Sequence, residues 1–389
     1  MSVEPNRHPH AVAAACLFDG VSLHRDAGVI IEGAHIAAIV ARAELPPNLP
    51  VRQLPNAVWL APGFIDVQVN GGGDVLFNDA PTPQTIRAIV AAHRRFGTTS
   101  LLPTLISDSP TKMKSALTAV DVLVGAEPGV LGIHLEGPFI SPEKAGAHDP
   151  RAIRPPTSDD VAMIVAPRQG VTLVTLAPEE VPCGFIGKLA SASVRVALGH
   201  SMASYEQTRQ AMAAGLTGFT HLFNAMRPLE SREPGPIAAA LESPSVFYGL
   251  IVDGFHVAPA TLRLALRGAG NPILVTDAMP PVGGSRVAFT LNGETIVVRD
   301  GRCARQDGKL AGACLDMATA VRNCVRLLNV PLTDALRFAS VNPAQFLGLG
   351  DRLGRLAPGM RADMIAIDPE SIEVRHTWVA GLTNYIPPL

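Results

Sequence analysis

The chain has 389 residues, 47% of them hydrophobic and 17% charged, with a formal net charge of -2. That length fits a large barrel with a satellite domain better than one small core, and the composition excludes a disordered or fibrous chain. With no block of like charge and only two Trp and three Tyr, the sequence lacks the footprint and the stacking platforms of a nucleic-acid binder. No apolar run approaches the roughly 18 to 20 residues that a membrane span needs.

Residues 11–18 are apolar and contain Ala-Ala-Ala-Cys, which has the outline of a lipoprotein cleavage site. The run is too short for a signal core, and it passes straight into Asp19-Gly20. It reads instead as a first β-strand. Shorter apolar runs broken by Gly and Pro follow to about residue 60, as at 28–33 and 36–40, and the tail from Gly359 repeats this texture at 362–367 and 373–379. The two ends are expected to pair into a small β-sandwich domain, residues 1–60 plus 356–389.

Between them, eight apolar, β-branched runs recur at 64–70, 99–105, 130–138, 171–178, 194–201, 218–225, 247–256 and 272–279. Near-continuous apolar runs mark strands buried on both faces. Helical stretches lie between them, as at 82–96, 204–214 and 259–267, and alternating strands and helices imply a parallel sheet. The fold class is α/β, with residues 61–355 closing a (β/α)₈ TIM barrel. Residues 286–300 read as a hairpin excursion around Asn292-Gly293, and 314–328 and 333–347 as closing helices.

The polar residues fall where the strand runs end: Gln68 and Asn70, His134 and Glu136, His200, His221 and Asn224, Asp253 and His256, and Asp277. A buried polar group without a partner costs on the order of 2–7 kcal/mol, and strand C-termini of a barrel converge on one face. A lone His at a strand end is more often a satisfied core group than a ligand; a set at corresponding ends points to one site. Glu136, His200 and His221 come from three strands and make the His₂Glu set known for catalytic zinc, with Asp277 at the eighth strand end. The five cysteines, Cys16, Cys183, Cys303, Cys314 and Cys324, are odd in number and contain no Cys-x-x-Cys, which fits a reduced, cytoplasmic setting.

Here the sequence resembles a known family. Pro62-Gly63-Phe64-Ile65-Asp66 and the closing Gly354-Arg355-Leu356-Ala357-Pro358-Gly359-Met360-Arg361-Ala362-Asp363 look like the amidohydrolase superfamily. The words Gln68-Val69-Asn70-Gly71, His134-Leu135-Glu136-Gly137-Pro138, Gly146-Ala147-His148, Leu198-Gly199-His200-Ser201, His221-Leu222-Phe223-Asn224-Ala225-Met226, Arg232-Glu233-Pro234-Gly235, Asp253-Gly254-Phe255-His256 and Thr276-Asp277-Ala278 are similar to those of the N-acetylglucosamine-6-phosphate deacetylases. The likeness covers nearly the whole chain.

The wider superfamily often carries His-x-His at the end of its first strand, feeding a second metal. Here Gln68-Val69-Asn70 stands in that slot, and an amide is a poor substitute ligand. One divalent cation per subunit is therefore expected, zinc or alternatively iron(II), on Glu136, His200 and His221. The only His-x-His, His8-Pro9-His10, is assigned to a terminal segment. Asp277 is the expected general acid/base, and by resemblance His148 stabilises the oxyanion. The resemblance further implies a sugar-phosphate substrate held by Arg232, Asn224, Ala225 and His256, with Asp253, Ala147, Leu310, Ala311, Gly312 and Gln68 lining the site. It implies a homodimer in which Arg232 reaches the neighbouring site. Neither nucleic acid nor membrane is expected as a partner. The alternatives are the galactosamine epimer, a cyclic amide of the same superfamily, or a barrel that has lost catalysis and serves only as a binding module.

Overall fold

The structure is a computed structural model that describes residues 8–385. By internal contact it divides into two compact units. One takes the described residues up to Asp66, His93–Ser100 and everything from Met317 on; the other takes Val67–Ala92 and Leu101–Asp316. The helices after residue 316 therefore group with the chain ends.

In the first unit, both termini join one eight-stranded sheet. His10–Phe18 pairs antiparallel with Leu23–Glu32, so His10 of the lone His-x-His opens a strand. Trp59–Pro62 joins the ends by pairing antiparallel with Met364–Ile367. Val12, Leu17, Val29, Leu60, Met364 and Trp378 share one buried core. The expected helix at 333–347 is two helices, Leu332–Ala339 and Val341–Leu347, broken at Ser340. Pro343 explains the break, since its ring clashes with the carbonyl four residues back and it has no N–H to donate.

The barrel sheet has eight parallel strands in sequence order: Phe64–Val69, Thr98–Ile106, Gly132–Glu136, Val171–Leu176, Arg195–Leu198, Gly218–Phe219, Phe247–Leu250 and Asn271–Leu274. Thr98–Ile106 and Gly132–Glu136 are buried at every position, as strands covered on both faces must be. The ring closes beyond the eighth strand, where Val69 bridges Ala278 in parallel and Gln68 O accepts from Asp277 N at 3.0 Å. Helix starts follow local chemistry: the Ser204 hydroxyl accepts from Gln207 N, and the Gln207 side chain accepts from Ser204 N in return.

Strands five to eight end earlier than the apolar runs predict. His200, His221, Phe223, Ala225 and Asp277 all have positive φ, between 32° and 80°, which no strand accommodates. His200, His221 and Asp277 therefore sit in left-handed turns just past the strand ends. The excursion after the eighth strand is larger than one hairpin: Ala288–Leu291, Glu294–Arg299, Arg302–Ala304 and Leu310–Ala313 form a four-stranded antiparallel sheet. Its first turn has Asn292 at φ 53° and Gly293 at φ 85°, the pair of positive angles that a two-residue hairpin loop requires.

Candidate metal centre and pocket

Glu136 ends the third barrel strand, and its Oε1 lies 3.0 Å from both His200 Nε2 and His221 Nε2. The two imidazole nitrogens are 3.1 Å apart. A tetrahedral ion about 2.0–2.2 Å from its ligands keeps neighbouring donor atoms roughly 3.3 Å from one another, so these three atoms outline a cation's cradle. The tautomer agrees for one imidazole: His200 Nδ1 donates to Lys144 O at 2.7 Å, leaving Nε2 free to coordinate. His221 Nδ1 is buried without a hydrogen-bond partner.

His148 joins this cluster, its ligand atom lying within 4.8 Å of those of Glu136 and His200. Its hydrogen bonds give it a different part. Ser107 N donates to His148 Nδ1 at 3.2 Å, and Ser107 Oγ is 2.7 Å away. With Nδ1 accepting, the neutral ring carries its proton on Nε2, which faces Glu136 Oε1 at 3.9 Å. That nitrogen is a donor aimed into the site rather than a ligand. Burial first, and the neighbouring His200 second, lower His148 to about 4, so the ring is neutral at physiological pH. Gly137 makes the approach possible: it sits at φ 82°, and a Cβ there would lie 2.3 Å from Ser107 Oγ.

Asp277 stands opposite Glu136. Asn70 Nδ2 donates to its Oδ1 at 2.6 Å, and Gln68 Nε2 spans the two acids, 3.3 Å from Asp277 Oδ1 and 3.2 Å from Glu136 Oε2. Burial and then the Glu136 charge push Asp277 up to about 6. Burial would also raise Glu136, but the three imidazoles against it, His148, His200 and His221, outweigh burial and hold this carboxyl well below its usual range. Two acids sharing one amide donor form a locally negative site that a cation relieves. His134 lies deeper: Nδ1 donates to Val67 O at 3.0 Å, while Nε2 is 2.7 Å from Thr175 Oγ1. Burial lowers it to about 4, and it is a satisfied core group.

These groups floor a cavity of about 310 Å³, large enough for a sugar phosphate. Of the expected substrate residues, Ala147, Asn224, Ala225, His256, Leu310 and Gly312 line it. Ala311 does not, because alternation along Leu310–Ala313 turns it into the core. Gln68 lies beneath the pocket on the two acids. Asp253 acts through His256, accepting from its Nδ1 at 2.6 Å. Arg232 is exposed, lies outside the cavity lining, and among the described residues forms no hydrogen bond or ion pair. Ser107 escaped the sequence reading, although it lies just past the second strand, where the strand-end rule could have found it. Lys309 at the rim also escaped; its neighbours Leu310 to Gly312 were the only pointer.

The chain matches the amidohydrolase family over residues 59–384. It is 43% identical to the N-acetylgalactosamine-6-phosphate deacetylase of Shewanella sp. (strain ANA-3), across 88% of this chain and 87% of that one. It is 34% identical to the N-acetylglucosamine-6-phosphate deacetylase of Haemophilus influenzae, across 92% and 95%. Among solved structures, the N-acetylglucosamine-6-phosphate deacetylase of Pasteurella multocida superposes with a TM-score of 0.92 at 32% identity, covering 96% of this chain and 98% of that one.

Proposed function

The chain belongs to the amidohydrolase family, and from that premise we propose that it removes the acetyl group of N-acetyl-D-glucosamine 6-phosphate, giving D-glucosamine 6-phosphate and acetate. The observation that carries this reading is the convergence of Glu136, His200 and His221 on one point, with Asp277 and His148 facing it. Relatives named for this activity support the substrate.

Glu136, His200 and His221 hold one divalent cation, assigned as zinc from the His₂Glu set. When bound, it supplies Lewis-acid polarisation of the amide carbonyl and makes water more acidic. Asp277 takes the proton of the attacking water and passes it to the leaving nitrogen, which cannot depart as an amide anion. The Asn70 and Gln68 amides hold Asp277 in place for both transfers. His148 donates from Nε2 to the acetyl oxygen as negative charge gathers there. His256, oriented by Asp253, and the Asn224–Ala225 turn hold the sugar phosphate, with Leu310 and Gly312 against the ring. Arg232, exposed and unpaired among the described residues, supplies a guanidinium to the neighbouring subunit's phosphate in a homodimer. A cytoplasmic setting fits five cysteines that are all free; no described helix is long and apolar enough to cross a membrane.

The Shewanella relative favours a second reading, the galacto epimer. Acetate release from both epimeric sugar phosphates separates the two: a higher kcat/KM for the gluco form is expected, and a marked galacto preference would replace the substrate assignment.

A further inference from the structure

Glu179 lies in the short turn Pro178–Glu180 after the fourth barrel strand and takes no part in the chemistry above. Its carboxylate reaches across to the next strand end. Oε2 accepts from Ser201 Oγ at 2.8 Å, and Oε1 accepts from Met202 N. Ser201 Oγ in turn accepts from Ala203 N at 3.0 Å. The anchored segment follows directly on His200, whose backbone is left-handed at φ 50°. A non-glycine residue held there is strained and persists only where its surroundings over-determine it. Other loops hold the turn by its backbone and by the His200 ring: Ser141 N donates to His200 O at 2.8 Å, Ser201 N to Ala225 O at 3.1 Å, Arg227 N to Ser201 O at 2.9 Å, Arg227 Nε to Met202 O at 2.8 Å, and His200 Nδ1 to Lys144 O at 2.7 Å. Glu179 is only half-buried, and burial raises its carboxyl despite these hydrogen bonds. Both oxygens of its carboxylate are taken up by this one loop, which points to the loop's conformation as its purpose.

We propose that Glu179 is a positioning residue for the cation site, fixing the left-handed turn that presents His200 Nε2 toward Glu136 and His221. Only Met202 N must meet an acceptor, since the Ser201 hydroxyl can accept as well as donate; an amide of the same length therefore serves, its oxygen accepting from Met202 N and its Nε2 donating to Ser201 Oγ. The proposal rests on the cation reading of the site given above. It is tested by titrating Zn²⁺ into chelator-stripped protein and measuring its Kd by competition, alongside the Tm of the metal-free protein. Glu179→Ala weakens Zn²⁺ by about 10- to 100-fold, the usual loss when a supporting partner of a ligand is removed, while the metal-free Tm shifts little. Glu179→Gln retains native affinity to within about threefold. Should Glu179→Ala not fold, Ser201→Ala, which removes one of the two anchors, weakens Zn²⁺ several-fold. Native affinity in whichever of these two variants folds would overturn the proposal, as would a Glu179→Gln variant as weak as the alanine one. A native protein that takes up no Zn²⁺ at all overturns the cation reading itself, and this proposal with it.

Discussion

The floor of the pocket and its rim are built differently. On the floor, Glu136, His148, His200 and His221 are each no more than 5% exposed, and hydrogen bonds to Lys144 O and Ser107 orient the His200 and His148 rings before any substrate arrives. At the rim, the Lys309 side chain is 77% exposed and pairs with Asp307, and beyond the lining Arg232 is exposed and forms no hydrogen bond or ion pair among the described residues. Groups that must stabilise a transition state gain from being fixed in advance in a water-poor setting, since no reorganisation is then needed as the reaction proceeds. Groups that only recognise a phosphate can remain mobile and solvated until it binds. Floor substitutions should therefore act on kcat, and rim substitutions on KM and substrate choice.

The largest effect expected is from removing the cation. Chelation should abolish turnover, and about one equivalent of Zn²⁺ per chain should restore it; a requirement for two would mean that the Gln68 and Asn70 amides do not stand in place of a second site. Next, Asp277→Asn should keep the cation and lose about 10²- to 10⁴-fold in kcat. Near-native turnover in that variant would take the proton-transfer role from Asp277. The pH profile follows from the same residue, which must be ionised to accept a proton. Its pKa is raised to about 6 by burial and by Glu136, and a bound cation pulls it back down. The acid limb of kcat/KM should thus lie at or below about 6, and a limb centred well above 7 would assign the base elsewhere. His148→Ala should cost about 10²- to 10³-fold in kcat with KM little changed; a change confined to KM would place the ring in binding. The smallest effect belongs to the rim. Arg232→Ala should raise KM roughly 10-fold for the phosphorylated sugar and leave an unphosphorylated analogue unaffected. Equal losses on both would break the division between floor and rim.

Much of this was legible in the sequence because burial imposes a pattern. Strands covered on both faces must be apolar, so the eight runs stood out, and the polar residues ending them stood out against those runs. Gln68 and Asn70 could be recognised as amides in a slot that holds imidazoles elsewhere in the superfamily, but not that one amide bridges Glu136 and Asp277. Ser107 could not be picked from other serines, because its importance lies in donating to His148, 41 positions along the chain. The break before Val341 was foreshadowed by Pro343, a local rule overlooked inside a helical pattern. Arg232 carries its motif in sequence, yet among the described residues nothing pairs with it.

The sequence by itself determined the order of strands and helices, the ends on which the chemistry sits, and the residue types offered as ligands, because periodicity, propensity and burial act over a few neighbouring residues. Only the tertiary structure decided which imidazole nitrogen faces Glu136, which ring is a donor rather than a ligand, and that the two histidine ligands occupy left-handed turns past the strands. Tautomers, carboxyl pKa values and strained backbone angles are set by groups tens to hundreds of residues apart, and folding alone brings those groups within hydrogen-bonding distance.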